Sequence, residues 1–206
     1  MSLTFEPLTH TYEHEGRRLP SVTQVINEWV LSGAYYVHTL TGVAIPAHAF
    51  EYAGNRGRAI HTGCNLIMAG TIDWDSVGEE ILPSLLQFQL WREKYYLGGE
   101  FVSETPMMSE KHQYAGTPDL IMMIEGKMSV IDIKSSKNYG QVAAQLAAYE
   151  ALYREHANYN KPIVHFVLDL SGGKYKFIKI EDLDAWSFFL HSLNRCKYLQ
   201  KNGGVK

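Results

Sequence analysis

Apolar residues recur at helical spacing in some segments of the chain and form short strand-like runs in others. Ile60, Cys64, Ile67 and Met68 lie on one face of a helix that we expect to end at Gly70. The same criterion predicts helices over residues 47–69, 80–97, 139–156 and 182–199. Apolar runs between turn residues predict strands over residues 100–107, 114–124, 127–134, 162–170 and 174–180. The predicted order of the core is therefore helix, three strands, helix, strand.

The beginning of the chain predicts a smaller unit ahead of this core. Residues 11–19 favour a short hairpin around Gly16. Pro20 and Ser21 are typical of a helix start, and the apolar positions that follow predict a helix through Trp29. Because no internal repeat or linker is visible, we expect one domain over residues 1–206, with the hairpin and helix in residues 1–45 and the core in residues 46–206.

Composition narrows the class of protein. The chain has 206 residues, of which 46% are hydrophobic, enough to bury a core without disulfide or metal support. Cys64 and Cys196 are its two cysteines, which excludes four-cysteine zinc and iron-sulfur sites. We find no membrane-spanning apolar stretch, secretory signal or P-loop motif. These features predict a cytoplasmic protein that has no membrane contact and no nucleotide cofactor.

Charge is unevenly distributed along the chain. The formal net charge is −3, but residues 1–110 carry 6 basic and 13 acidic side chains, whereas residues 111–206 carry 13 basic and 9 acidic ones. The second half is therefore the better surface for an anionic partner. The overall balance argues against a protein that coats duplex DNA through charge alone.

The candidate chemistry lies in a predicted hairpin. If Glu125 and Gly126 form a two-residue turn, Asp119 on the first strand faces Asp132 on the second. Directly opposed side chains have Cβ atoms about 4.5 to 5.5 Å apart, and like charges in such a pair destabilise a sheet. Because side chains alternate along a strand, Lys134 projects to the same face as Asp132.

Two acids and an ammonium group on one face suit a hard divalent cation. Mg²⁺ or Mn²⁺ commonly takes one or two carboxylates and completes its shell with water and phosphate oxygens. Lys134 would then orient or deprotonate a water, or stabilise developing negative charge. On spacing alone, an ordinary surface hairpin in which Asp132 and Lys134 are solvated charges is an equal alternative.

These residues also carry a resemblance to a known group of enzymes. Pro118-Asp119, separated by twelve intervening residues from Asp132-Ile133-Lys134, resembles the motif of the PD-(D/E)xK nuclease superfamily. Residues 145–149, with Gln145 and Tyr149, and residues 56–61, with His61, are similar to elements of its RecB-like members. Residues 19–23 are similar to an N-terminal element of phage-encoded RecB-like nucleases and of the mitochondrial genome maintenance exonucleases.

The resemblance implies a fold and a set of site residues. The fold is a restriction-endonuclease-like α/β core in which helices flank a mixed central sheet. Asp119 and Asp132 are implied as catalytic metal-binding acids and Lys134 as the catalytic lysine. The implied additional ligands are His61 and the backbone carbonyl of Ile133, and the cofactor is one or two Mg²⁺ or Mn²⁺ ions.

Residues around this set are weaker candidates. Glu104, in the first predicted core strand, is a possible additional ligand or a plain strand glutamate. Gln145 and Tyr149 would border the site and help to hold DNA, and Arg56 and Arg58 would contact phosphate, although all four also suit an ordinary helix surface. Several aromatic residues are candidates for stacking on unpaired bases, but most such side chains belong to cores: Trp29, Tyr35, Tyr36, Tyr95 and Tyr96.

The function implied by the resemblance is hydrolysis of DNA. It favours an exonuclease that acts on single-stranded DNA or on a free end, in recombination, repair or phage genome processing, in the cytosol of a bacterium or of a phage-infected host. A structure-specific or restriction-like endonuclease is the alternative that shares the same catalytic residues. A catalytically silent DNA-binding subunit is a second alternative. A helicase or recombination partner is compatible with either reading, but the sequence does not identify one.

Overall fold

A five-stranded mixed sheet is the centre of this computed structural model, which describes residues 3–7, 9–137 and 139–203. The elements ahead of that sheet are β1 (Thr4–Glu6), β2 (Thr11–His14), β3 (Arg17–Leu19), α1 (Val22–Val25), β4 (Trp29–Ser32), β5 (Tyr35–His38), β6 (Ala44–Pro46), α2 (Ala47–Ala69) and α3 (Leu82–Tyr95). The later elements are β7 (Phe101–Ser103), β8 (Met107–Ser109), β9 (Tyr114–Gly116), β10 (Leu120–Ile124), β11 (Lys127–Lys134), α4 (Val142–Ala157), β12 (Ile163–Asp169), β13 (Lys176–Ile180) and α5 (Ala185–Lys201).

The central sheet has the strand order β13-β12-β11-β10-β7. β11 and β12 are parallel, and the other neighbouring pairs are antiparallel. The β10–β11 hairpin has the predicted register, since Ile124 pairs with Lys127 and Leu120 with Ile131. Glu125 and Gly126 have φ angles of 48° and 78°, the left-handed pair that a two-residue turn of this kind requires.

Helices cover both faces of this sheet. Alternate residues of β10, β11 and β12 pack against α1, α4 and α5 on one face, through Ile121, Val130, Val167, Leu146 and Phe189. The intervening residues pack against α2 and α3 on the other, through Leu120, Ile131, Leu168, Ile60 and Trp91. The α/β fold with a mixed sheet between helices is therefore confirmed. Its core follows the predicted order: α2, then β7, β10 and β11, then α4 and β12.

The first two predicted core strands are shorter than expected. The strand predicted over residues 100–107 ends at Ser103, so Glu104 follows the strand and has a φ of 47°. The strand predicted over residues 114–124 is split into β9 and β10, because Pro118 has no backbone N–H to donate to a neighbouring strand. β8 and β9 pair with each other in a separate two-stranded sheet.

The helix predicted through Trp29 is wrong beyond its first turn. Ser21 caps α1 with a capping box, but the helix ends at Val25. The Asn27 side chain then accepts a hydrogen bond from the Trp29 N–H at 3.0 Å and donates to the Trp29 carbonyl at 3.1 Å, an alternative to helical bonding. Residues 29–46 instead form the antiparallel sheet β4-β5-β6.

α2 has the bounds that its apolar pattern predicts, from Ala47 to Ala69, with Gly70 in the left-handed conformation at its end. A glycine allows it to approach α3 closely: a Cβ added at Gly63 would lie 2.6 Å from Leu85 Cδ1. No helix in the described ranges combines the length and the apolar character needed to cross a bilayer.

We expect Gly63→Ala to destabilise the protein by about 1 to 3 kcal/mol, the usual cost of forcing an extra group into a packed core. Gly54→Ala is a matched control on the same helix, because an added Cβ would meet only Arg58 Nη1 at 3.7 Å. Urea unfolding should show a lower midpoint for Gly63→Ala and an unchanged or higher one for Gly54→Ala. Equal midpoints for the two variants would contradict this packing account.

Candidate metal centre and its lysine

Asp119 is fixed where β10 begins. It directly follows Pro118 and is 7% exposed. One carboxylate oxygen, Oδ2, accepts a hydrogen bond from the backbone N–H of Ile133 at 2.7 Å. On the neighbouring strand, Ser103 Oγ donates to the Asp119 carbonyl at 3.0 Å. The hairpin therefore holds one oxygen of Asp119 and leaves the other, Oδ1, directed elsewhere.

That second oxygen belongs to a three-residue cluster. Asp119 Oδ1 lies 3.1 Å from His61 Nδ1, and Glu104 Oε1 lies 3.7 Å from the same nitrogen. One ligand atom from each side chain falls within 4.8 Å of the others. α2 supplies the histidine and the segment after β7 supplies the glutamate, so three separate parts of the chain converge here.

Asp132 and Lys134 form the adjacent half of the site. Asp132 is 1% exposed, and its Oδ2 lies 2.9 Å from Lys134 Nζ. Its other oxygen, Oδ1, is buried and has no hydrogen-bond partner among the described residues. Lys134 Nζ also donates to Gln145 Oε1 at 3.1 Å, and Gln145 Nε2 donates to Tyr149 Oη at 3.2 Å.

The electrostatics of the two acids differ. Burial raises the pKa of Asp132 to about 6, against the opposing effect of Lys134. Burial also acts on Asp119, but the charge and hydrogen bond of His61 outweigh it and lower its pKa. Lys134 is opposed by burial as well, yet the Asp132 carboxylate raises the pKa of the lysine above its usual value. Lys134 is therefore an ammonium group. It contacts Asp132, whose charged form is disfavoured by burial.

These residues fit a divalent cation. With its imidazole neutral, as metal binding requires, His61 offers one nitrogen beside the carboxylate oxygens of Glu104 and Asp119. Oδ1 of Asp132 is a buried acceptor that lacks a donor among the described residues. Carboxylate oxygens are the ligands that Mg²⁺ and Mn²⁺ prefer. The Ile133 N–H is used by Asp119, while a ligand role for the Ile133 carbonyl stays a prediction.

The other candidates take up different positions. Gln145 and Tyr149 do lie beside Lys134, but they are 8% and 4% exposed, so the tyrosine supports Gln145 from within the core. Arg56 Nη1 donates to the Ser135 carbonyl at 3.5 Å, next to Lys134, while the exposed Arg58 donates to Asn55.

Four of the five aromatic candidates pack against other rings of the protein, and the fifth is exposed. Tyr36 stacks on Phe50, and Tyr95 and Tyr96 pack on Phe177 and Phe101 respectively. Tyr35 is exposed on β5. Trp29 contacts both His38 and Phe50.

Sequence reasoning missed a second polar pair near Lys134. Asp169 on β12 is the parallel partner of Lys134 in the ladder and is 2% exposed. Its Oδ2 accepts a hydrogen bond from Tyr139 Oη at 2.5 Å. This pair ties the segment between β11 and α4 to the sheet. The available signal was an acid at the end of an otherwise apolar strand.

Comparison with known proteins gives little beyond this geometry. No family model matches the chain, and no curated protein matches it. Among solved structures, the chain is similar to a crystal structure from Eubacterium rectale named "Putative exonuclease". The two are 14% identical with a TM-score of 0.48, and the similarity covers 73% of this chain and 69% of that one.

We expect Mn²⁺ or Mg²⁺ to raise the melting temperature, because an ion that binds only the folded state stabilises it, by about 2.7 kcal/mol at a hundredfold excess over Kd. Asp119→Asn should abolish the increase, since Asp119 is the acid that joins His61 to the hairpin. Glu79→Gln is the control: it changes an exposed acid outside the cluster, and the metal should still raise the melting temperature of this variant. Thermal denaturation in a millimolar metal titration checks this, and an unchanged melting temperature in the native protein would contradict the site.

Proposed function

We propose that the protein is a metal-dependent nuclease that hydrolyses phosphodiester bonds in DNA. The observation that carries the proposal is the convergence of two buried acids at one end of the sheet, with His61 beside Asp119 and Lys134 beside Asp132. Hydrolysis of a phosphodiester needs ligands for a hard cation and a group that stabilises negative charge as the bond breaks. This cluster contains both.

The site residues have two different roles, metal binding and stabilisation of negative charge. His61, Glu104, Asp119 and Asp132 would hold the ion, which when bound lowers the pKa of a water ligand and neutralises phosphate charge. Lys134 keeps its proton because of Asp132, so it acts as a donor that orients the attacking water and stabilises charge on the phosphate oxygens. Gln145 accepts from the same ammonium group and fixes its direction.

Within this class we propose an exonuclease that acts on a DNA end, with single-stranded DNA as the preferred substrate. The support is the resemblance of residues 56–61 and 145–149 to RecB-like nucleases and of residues 19–23 to phage-encoded members of that group. Arg56, whose guanidinium lies beside the segment that follows Lys134, is placed to contact a phosphate near the site. Roles in recombination, repair or phage genome processing belong to the same proposal.

We expect Lys134→Ala to reduce the rate of DNA cleavage by about 10²-fold to 10³-fold, as the loss of a preorganised charge donor commonly does. Lys127→Ala is the matched control, because Lys127 is exposed at the opposite end of β11 and its loss should leave the rate unchanged. The measurement is digestion of end-labelled single-stranded, duplex and covalently closed circular DNA with Mg²⁺ or Mn²⁺.

The three substrates separate the alternatives. Loss of linear DNA alone, dependent on metal and on Lys134, supports the exonuclease. Cleavage of closed circles would instead identify an endonuclease. An absence of cleavage on every substrate would contradict the proposal and favour a DNA-binding subunit.

We expect Gln145→Ala to lower kcat more than Tyr149→Phe does. A hydrogen bond to a charged group contributes about 1.5–3 kcal/mol and a neutral one about 0.5–1.5 kcal/mol, and Gln145 bonds directly to the Lys134 ammonium whereas Tyr149 acts through Gln145. Tyr153→Phe, one turn further along α4, is the control that should leave kcat unchanged. Steady-state kinetics of the three variants test this order of kcat values. A larger loss of kcat for Tyr149→Phe would contradict the proposed role of the Lys134–Gln145–Tyr149 hydrogen bonds.

A further inference from the structure

A pocket of about 240 Å³ opens directly beside Lys134 and Gln145. The end of α1 and the sheet β4-β5-β6 form one side of it, and the segment before α4 and the start of that helix form the other. Trp29 lines the first side and Gln141 the second. A strand whose phosphate reaches Lys134 would therefore have this pocket as its neighbour.

One wall of the pocket carries an acid whose oxygens are both engaged. Glu28 Oε1 accepts a hydrogen bond from Gln141 Nε2 at 2.8 Å, and Glu28 Oε2 lies 3.0 Å from His38 Nε2. These contacts connect the sheet β4-β5-β6 to the start of α4 and hold the two walls together. Lys134, which pairs with Asp132 of the proposed metal site, also lines the pocket and supplies a cation there.

The tryptophan of the pocket is held in place. The Trp29 ring meets His38 edge-on with centroids 5.1 Å apart and lies 5.3 Å from the Phe50 ring. Both polar groups of the Asn27 side chain bond to the Trp29 backbone, which holds the segment that carries the ring. The pocket thus offers a fixed aromatic surface.

This combination suits a nucleobase that binds by stacking. The volume is below the roughly 300–1,000 Å³ of pockets that enclose drug-sized ligands, which favours one ring system over a base pair. Stacking on an aromatic side chain is tolerant of sequence, because every base has a π-face. A base inside a duplex would first have to unpair and unstack.

We infer that this pocket binds the base of one unpaired nucleotide next to the scissile phosphate, with Trp29 as its stacking surface and Lys134 at the phosphate end. The inference rests on the proposed nuclease function and deepens it, because it makes single-stranded DNA the substrate of this site. According to this inference, the protein prefers single-stranded DNA because an unpaired base stacks on Trp29. Stacking of this kind gives no preference for a particular base.

The test is a scan of single-stranded oligonucleotides, each with one abasic position at a different distance from the labelled end. Binding is measured by fluorescence anisotropy on the full chain carrying Asp119→Asn, which removes a metal ligand outside the pocket and so prevents cleavage. We expect one abasic position to weaken binding about tenfold, within the range for a single stacked base. Adding Trp29→Ala should weaken the intact oligonucleotide equally and remove the effect of that abasic position.

Two variants separate stacking from folding. Trp29→Phe keeps an aromatic ring and should retain most of the position-specific effect, with a melting temperature close to that of the parent. Trp74→Ala removes an exposed tryptophan on the short helix between α2 and α3 and should leave the scan unchanged. In the native chain, Trp29→Ala should raise KM for single-stranded DNA about tenfold with little change in kcat.

The outcomes for the pocket and for the nuclease are distinct. If the native chain cleaves DNA but the abasic scan is flat, or Trp29→Ala binds as tightly as its parent, the pocket inference is wrong and the nuclease stands. If no substrate is cleaved with any metal, the nuclease proposal fails. An abasic effect that depends on Trp29 would then still support the pocket as a binding site for a single strand.

Discussion

The hydrogen bond from the Ile133 N–H to Asp119 Oδ2, 2.7 Å long, is the contact on which the candidate site depends. It joins the residue before β10 to the end of β11 through a side chain, beyond the last residue pair of the hairpin, Leu120 with Ile131. A shift of one residue would turn Asp132 and Lys134 to the face covered by α2 and α3. The turn at Glu125 and Gly126, at the far end of the hairpin, therefore sets the position of both acids.

Burying these acids has a cost that the surrounding charges offset only in part. His61 compensates Asp119 and keeps its pKa low, whereas the pKa of Asp132 rises despite Lys134. A buried carboxylate oxygen without a donor is unfavourable unless something else satisfies it. A divalent cation between the two acids would remove that cost, which is the physical reason to place the ion beside Asp132 as well as at the His61 cluster.

Local patterns predicted the hairpin, the length of α2 and the lysine that shares a face with Asp132, because each depends on a spacing of a few residues. They could not reveal contacts that depend on distant segments. Glu104 meets His61 only because the chain turns sharply after β7, at a positive φ. Asp169 meets Tyr139 across 30 residues. The helical spacing of Val22, Val25 and Trp29 predicts a helix, but the bonds from the Asn27 side chain to the Trp29 backbone compete with helical bonding.

That incorrect prediction concerns the part of the chain that forms one wall of the pocket beside Lys134. The sheet β4-β5-β6 follows a four-residue helix and reaches α4 through the bonds of Glu28 to His38 and Gln141. α4 in turn carries Gln145, which accepts from Lys134. The start of α4 thus contacts both the pocket wall, through Gln141, and Lys134, through Gln145. The substrate recognition and the chemistry that we propose would then both depend on α4.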